Sequence, residues 1–319
     1  MPIGNDLAQA KTLLEQGQLV AIPTETVYGL AGNAWDEQAV LRIFETKNRP
    51  TFDPLIVHTC AVERIAAFAH VHEVAERLFE AFSPGPLTVL LEKKASIPDL
   101  VTSGLSRVAV RIPRHPLTLS LLEQLDFPLA APSANPFGYI SPTTAAHVAD
   151  QLGNKIPYIL DGGACGVGVE STIVGVDEGQ VTIYRLGGLS VEEIAAVAGN
   201  VVVQVNQSSN PAAPGMLKSH YAPRKPLLLG SIESLLAQQP STVSIGILSF
   251  QDDYTHDPRV VAQEILSPSG DTREAARRLF AAMRTLDVSA ATVMLAAPLP
   301  EIGLGRAIND RLARAAVRE

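Results

Sequence analysis

The sequence predicts an α/β protein in two parts, a larger mixed sheet followed by a smaller parallel α/β unit. Three observations carry that reading. Up to about residue 205, short apolar runs mix with amphipathic stretches, without strict strand–helix–strand alternation. Residues 206–226 then lose all apolar period and carry four prolines, the mark of an extended linker. From 227 onward strands and helices alternate, as the crossovers of a parallel sheet require.

In chain order, Asp6 to Glu15 puts Leu7, Ala10 and Leu14 on one helical face, and Leu19–Ile22 is a strand stopped by Pro23. Asp36 caps a helix that turns Val40, Ile43 and Phe44 inward. Leu55–Val57 is a strand, with helical patterns near 62–69 and 71–82. Ser83-Pro84-Gly85-Pro86 breaks the pattern. Strands follow at Leu87–Leu91, Val108–Ile112, Leu129–Ala131, Tyr158–Leu160, Ser171–Val176 and Val181–Tyr184, with helices at 116–125, 143–152 and 191–198 among them. Beyond the linker come strand Leu227–Leu229, helix Ile232–Gln238, strand Val243–Leu248 and a polar loop. A helix at 272–286 turns Ala275, Leu279, Ala282 and Leu286 inward; strand Val293–Ala296 and a helix at 304–317 complete the chain. The expected division is 1–205, a linker at 206–226, and 227–319.

Apolar residues are 46% and charged residues 18% of the 319, enough to bury a core and to exclude global disorder. Lys and Arg total 25 against 33 Asp and Glu, a net charge of −8. That balance argues against a protein that coats nucleic acid, yet leaves room for a local basic pocket around an anionic substrate. Cys60 and Cys165 form no CxxC pair, so a zinc ribbon or disulfide framework is not expected. The first residues lack a basic head followed by an apolar stretch, and no run is long and apolar enough for a membrane span. A cytoplasmic protein is expected.

There is no Walker A motif, no GxGxxG, no HExxH and no GxSxG. Five segments have chemistry to offer. Pro23–Leu30 gathers hydroxyls, a carboxylate and a phenol after a buried strand, where α/β sheets place ligands; its plainer alternative is a capping box. Lys47-Asn48-Arg49-Pro50 lies in a loop entering a strand, and its proline aims both cations at one anion with little loss of freedom, unless it is only a solvated turn. In Arg107–Arg114 the two-residue period puts Arg107, Ala109 and Arg111 on one face, suited to a carboxylate or phosphate. Ala130–Pro136 with Ser141-Pro142-Thr143 lets backbone approach a ligand beside Ser133, Asn135 and Ser141, or is a polar turn with a helix cap. Asp161–Gly163 and Gly166–Ile173 form a glycine-rich loop able to turn successive N–H groups to an anion, with Arg185 on the next strand.

Together, PTETVYGL, KNRP with PLIVH, SPGPLTVLL, VAVRIPRHP, APSANPFGYISPTT and DGGACGVGVESTIV, in this order, resemble the YrdC-like threonylcarbamoyl-adenylate synthase family. PGMLKSHYAP looks like the linker of its long, two-domain members. The resemblance covers about residues 19 to 223. It implies a twisted mixed-sheet YrdC-like domain joined to a smaller Rossmann-like α/β domain. It also implies a reaction in which L-threonine and bicarbonate form a carbamate that attacks the α-phosphate of ATP, releasing pyrophosphate and threonylcarbamoyl-AMP. Mg2+ is expected with the ATP, held by phosphates and water. The product would pass to a tRNA threonylcarbamoyl transferase complex.

By the same resemblance, Lys47, Arg49, Ser133 and Asn135 match the family's KxR…SxN tetrad. Arg49, Asp53, Arg107, Ser133, Ser141, Arg185 and Tyr221 fall at nucleotide-contacting positions. Thr26, His58, Arg111, Ala131 and Ser171 fall at threonine-contacting positions. A carbamate is already a nucleophile, which favours a binding role for His58 over an acid–base role. Asp53 near a polyanion is awkward and suits ribose, adenine or Mg2+ better. His220 and Tyr221, odd in a spacer, suggest a lid over the pocket. An RNA-binding module is the alternative, weakened by the −8 charge; carbamoyl transfer in hydrogenase maturation is a third, weakened because those chains carry cysteine-rich zinc modules.

Overall fold

The structure is a computed structural model that describes residues 2–177, 179–204, 214 and 219–317. Most of the expected linker, 206–213 and 215–218, lies outside the described residues.

A twelve-stranded mixed sheet forms the larger lobe. From one edge its strands are Ile3–Gly4, Tyr158–Leu160, Val20–Ile22, Gly29–Asn33, Leu129–Ala130, Ile56–His58, Arg107–Arg111, Leu87–Lys93, Thr172–Asp177, Gln180–Arg185 and Val201–Val203; Ala69–His70 pairs beside Leu87–Lys93. The middle of the sheet sets the register of the site. His58 pairs with Arg111 across a parallel ladder, and Val57 with Ala130 across an antiparallel one. The Leu87–Lys93 and Arg107–Arg111 strands alternate as period two demands: Val89, Leu91, Val108 and Val110 enter the main core, while Leu90 and Ala109 join Ile56, Ile173 and Tyr184 on the opposite face.

Helix starts follow the expected chemistry. Asp6 accepts from the N–H groups of Ala8 and Gln9 ahead of helix Leu7–Glu15, and Asp36 from that of Gln38 ahead of Glu37–Lys47. Helix Val191–Ala198 opens with a capping box of Ser190 and Glu193.

Several expectations change. Strand Gly29–Asn33 went unpredicted because Gly29 and Gly32 weaken the strand signal; it is formed by pairing on both sides. The helical stretch near 62–69 is only Val62–Ile65, followed by strand Ala69–His70. Lys47 is not in a loop but ends its helix. The polar loop after Leu248 contains strand Val260–Ile265, which closes one edge of the small sheet.

The smaller lobe is a parallel four-stranded sheet in the order Leu227–Leu229, Val293–Ala296, Ile245–Ser249, Val260–Ile265. Helices Thr272–Val288 and Gly305–Ala316 turn toward the larger lobe. Ala276, Leu279, Phe280 and Ile308 share one apolar cluster with Val27, Ile140, Val169 and Tyr221. The Tyr139 hydroxyl donates to Asp287 at 2.6 Å, and Arg284 donates to the Ser141 carbonyl at 3.3 Å. Gly168 marks how closely the lobes approach. Its φ is +81°, and a Cβ there would lie 2.4 Å from the Arg277 Cα and 2.5 Å from the Ala276 carbonyl oxygen.

Gly168→Ala therefore meets both an unfavourable φ and helix backbone that cannot yield. Urea unfolding should show a loss of about 2 kcal/mol or more. An unchanged midpoint would mean that the lobes are not seated this closely.

Candidate active site

The site begins where helix Glu37–Lys47 ends. Asn48 takes the left-handed conformation, φ 52°, and its N–H closes the helix on the Glu45 and Phe44 carbonyls. Asparagine tolerates that region better than most residues. Lys47, 1% exposed, donates to the Ser133 and Asn135 carbonyls, both at 2.5 Å. Burial, and next the Arg49 charge, push its ammonium well below the ordinary lysine range. Arg49 folds onto the turn that follows: Nε donates to the Asp53 carbonyl at 3.0 Å and Nη2 to that of Pro54 at 2.9 Å, while the Asp53 carboxylate pairs with Nη2 at 2.8 Å. Asp53 is thus the buried counter-ion of Arg49.

The bend that receives Lys47 is fixed by the sheet. Leu30 donates to the Pro132 carbonyl at 2.7 Å and Ala134 to that of Tyr28 at 2.8 Å. Asn135 Nδ2 donates to the Pro136 and Tyr139 carbonyls, both at 2.8 Å; its buried Oδ1 accepts no hydrogen bond among the described residues. Ser133 and Asn135 meet Lys47 through backbone oxygens, a contact that side-chain reasoning did not anticipate.

Behind strand Val20–Ile22, Thr24 Oγ1 accepts from the N–H groups of Thr26 and Val27 and shares a 2.9 Å hydrogen bond with the Thr26 hydroxyl. This turn presents Glu25, whose carboxylate accepts from the Arg114 N–H at 2.9 Å and pairs with Arg111 Nη2 at 2.8 Å. Arg111 Nε makes no hydrogen bond among the described residues. His58, beside Arg111, has Nδ1 3.2 Å from the Ile56 carbonyl. Burial, and then the Arg111 charge, hold its pKa down at about 3, so the ring is neutral at neutral pH.

On the other wall, Arg185 donates through Nε and Nη2 to the Ser171 carbonyl at 3.1 and 3.0 Å, and through Nη2 to its hydroxyl at 3.0 Å. Burial lowers the Arg185 pKa to about 10. Ser171 also meets the Thr88 hydroxyl at 2.7 Å. Glu170 accepts from the Ser141 hydroxyl at 2.6 Å and pairs with Arg311 at 3.1 Å. Tyr221, 1% exposed, has φ 65° and stacks on Phe280 with ring centroids 5.5 Å apart. The guanidiniums of Arg311 and Arg314 lie 5.5 and 5.1 Å from the centre of its ring. His220 packs edge-on against Tyr221 at 4.2 Å and Phe137 at 5.8 Å.

These walls border a partly open cleft with about 530 Å³ of empty space, some of it continuous with solvent. Of the predicted residues, Arg49, His58, Arg111, Ala131, Ser133, Arg185 and Tyr221 line it. Lys47, Asp53, Thr26, Asn135, Ser141 and Ser171 are buried and bonded to or beside that lining. Arg107 is engaged elsewhere, donating to Asp177 at 2.9 Å and the Tyr184 hydroxyl at 3.2 Å. Sequence reasoning offers Glu25 only as the carboxylate of the Pro23–Leu30 turn and does not single out Glu170 within its glycine-rich segment. A carboxylate looks wrong in an anion site until its arginine partner is known, and for Glu170 that partner is 141 residues away. Three guanidiniums and one carboxylate line the cleft, which suits small, mutually repelling anions.

A family model for Sua5, YciO and YrdC, described as telomere recombination, matches residues 12–187, and one described as the threonylcarbamoyl-AMP synthase C-terminal domain matches 189–317. The threonylcarbamoyl-AMP synthase of Pyrococcus abyssi is 40% identical over 96% of this chain and 92% of its own. That of Bacillus subtilis is 38% identical over 97% and 92%. The crystal structure of Pyrococcus abyssi Sua5 complexed with L-threonine superposes with a TM-score of 0.93 at 39% identity, covering 99% of this chain and 98% of that one. With both family models matched in order and relatives alike over nearly their full length, the chain belongs to the threonylcarbamoyl-AMP synthase family.

Proposed function

We propose that the cleft joins L-threonine, bicarbonate and ATP into threonylcarbamoyl-AMP and pyrophosphate, the activated intermediate for threonylcarbamoyladenosine in tRNA. The observation that carries this is the meeting of the Lys47–Arg49 turn with the Ser133–Asn135 bend inside a cationic cleft, in a chain that aligns with a threonine-bound relative.

The threonine subsite is assigned to Thr26, His58, Arg111, Ala131 and Ser171. Arg111 supports that assignment: it lines the cleft, with its guanidinium held by Glu25. The nucleotide subsite is assigned to Arg49, Ser133, Ser141, Arg185 and Tyr221, with Asp53 acting through its pair with Arg49. Arg107 is the outlying member of that set. Residues 1–205 would carry the catalytic unit and 227–319 the second domain, with the chain around His220 and Tyr221 covering the cleft against water.

In the reaction, the threonine amine combines with bicarbonate to give a carbamate and water. A carbamate oxygen then attacks the α-phosphorus and pyrophosphate leaves with the electron pair of the broken P–O bond. Every participant is anionic, so the protein's task is to hold them together and offset their repulsion. Lys47 donates to the Ser133 and Asn135 carbonyls and so would fix the bend that faces the reacting groups. His58, neutral, offers a hydrogen bond rather than a proton.

Magnesium fits as a passenger of the nucleotide. Among the described residues no group of three or more His, Cys, Asp or Glu is placed to hold a metal, and the carboxylate in the lining, Glu170, is taken by Ser141 and Arg311. Mg2+ on the triphosphate oxygens would offset charge there. A downstream transferase would take up the labile product. Among the described residues no helix is long and apolar enough to cross a membrane, which is compatible with the cytoplasmic setting proposed.

Pyrophosphate release should require ATP, threonine and bicarbonate together, with threonylcarbamoyl-AMP seen by mass spectrometry; release without threonine rejects the reading. Arg111→Lys should raise the threonine KM about tenfold or more and leave the ATP KM within about threefold. Equal rises in both would place Arg111 elsewhere.

The state of His58 gives a pH test. Its folded pKa of about 3 lies below the ordinary 6.5, so between these values the unfolded chain binds the extra proton. Stability is complete above about pH 6.5 and falls as the pH drops, by about 1.4 kcal/mol per unit from this residue. Between pH 7 and 5, His58→Gln should lose about 2 kcal/mol less than the unaltered chain in urea unfolding. Parallel losses would mean that His58 is protonated in the fold.

A further inference from the structure

Helix Gly305–Ala316 of the smaller lobe sends Arg311 into the back wall of the cleft, where it is wholly buried. Its Nε and Nη2 donate to Glu170 Oε2 at 3.2 and 3.1 Å. Its Nη1 donates at 2.5 Å to the carbonyl of Leu186, the residue after Arg185. The same guanidinium lies 5.5 Å from the centre of the Tyr221 ring. The other oxygen of Glu170 holds the Ser141 hydroxyl at 2.6 Å. One side chain of the smaller lobe thus reaches Ser141, Arg185 and Tyr221, three of the residues assigned to the nucleotide.

The charge balance explains why such a contact is needed. A carboxylate lining a cleft for a triphosphate repels it unless a cation is fixed against it. Arg185, which also lines the cleft, acts on Glu170 only through space, since its donors go to Ser171 and the Pro214 carbonyl; Arg311 is the cation bonded to Glu170. Arg311 also pairs with Asp310 at 3.0 Å, but Asp310 has a second partner in Arg314 at 3.5 Å.

We propose that Arg311 is a positioning residue for the nucleotide. It neutralises and orients Glu170, so that Ser141, Arg185 and Tyr221 keep the arrangement a polyanion requires, and nucleotide binding depends on the smaller lobe being seated. That role presupposes the synthase reading of the cleft.

Steady-state kinetics of the full chain test it. Arg311→Met should raise the ATP KM about tenfold or more while the threonine KM stays within about threefold, because only the polyanion meets the unmasked carboxylate. The double variant Glu170→Gln with Arg311→Met removes that carboxylate and should bring the ATP KM back to within about threefold of the unaltered chain. A merely structural arginine would raise both KM values and would not be rescued by the glutamine; that outcome overturns the proposal. Should Arg311→Met fail to fold, the double variant decides alone: a near-normal ATP KM supports the role, and a tenfold rise overturns it. If the unaltered chain releases no threonine-dependent pyrophosphate, the synthase reading falls and this role falls with it.

Discussion

Keeping several cations buried around one cleft, without letting their mutual repulsion open the fold, is the constraint on which the rest depends. Lys47, Arg49, Arg111, Arg185 and Arg311 are all less than a tenth exposed. Each is met by oxygen from a rigid part of the backbone or by a buried carboxylate: two carbonyls for Lys47, Asp53 for Arg49, Glu25 for Arg111, the Ser171 carbonyl for Arg185 and Glu170 for Arg311. Such pairs contribute little net stability, because desolvation offsets most of the attraction. What they do provide is fixed direction. A guanidinium pinned on one edge has its remaining N–H bonds aimed at a known place before any substrate arrives.

That requirement accounts for architecture that would otherwise look arbitrary. The parallel pairing of Ile56–His58 with Arg107–Arg111 sets His58 beside Arg111, and the antiparallel neighbour Leu129–Ala130 carries the chain on to the Ser133–Asn135 bend. The left-handed Asn48 ends one helix just where Lys47 must stop and Arg49 must turn away. The smaller lobe completes the wall. Phe280 and Arg311 hold Tyr221 in a conformation that a tyrosine adopts only under constraint, and Gly168 leaves room for the helix that brings Phe280.

Features governed by local chemistry were legible in the sequence. The cap at Asp36, the inward faces of the first helices and the shared face of Ala109 and Arg111 depend on neighbours one to four residues away. The cleft lining was brought together by the resemblance to the family and not by local chemistry: Arg49, His58, Arg111, Ala131, Ser133, Arg185 and Tyr221 were assigned by that resemblance. What escaped notice depends on pairing partners. Gly29–Asn33 is a strand because strands lie on both its sides, and Val260–Ile265 because it closes a sheet edge. The roles of Glu25 and Glu170 were not legible, since the arginines that neutralise them come from distant segments. Asp53 looked awkward for the same reason, and its bond to Arg49 removes the difficulty.

Three carboxylates among the cations also bear on how the cleft can empty itself. A pocket of bare arginines and lysine would hold pyrophosphate and an adenylate too tightly to release them, since interactions that favour substrate, transition state and product alike do not raise turnover. Asp53, Glu25 and Glu170 lower the net field while leaving individual N–H bonds pointed inward. Under the proposed reaction, the N–H bonds that remain free would meet the charge that develops at the attacked α-phosphate. If the cleft works as proposed, the carboxylates that look out of place would keep a cationic site from becoming a trap for its anionic products.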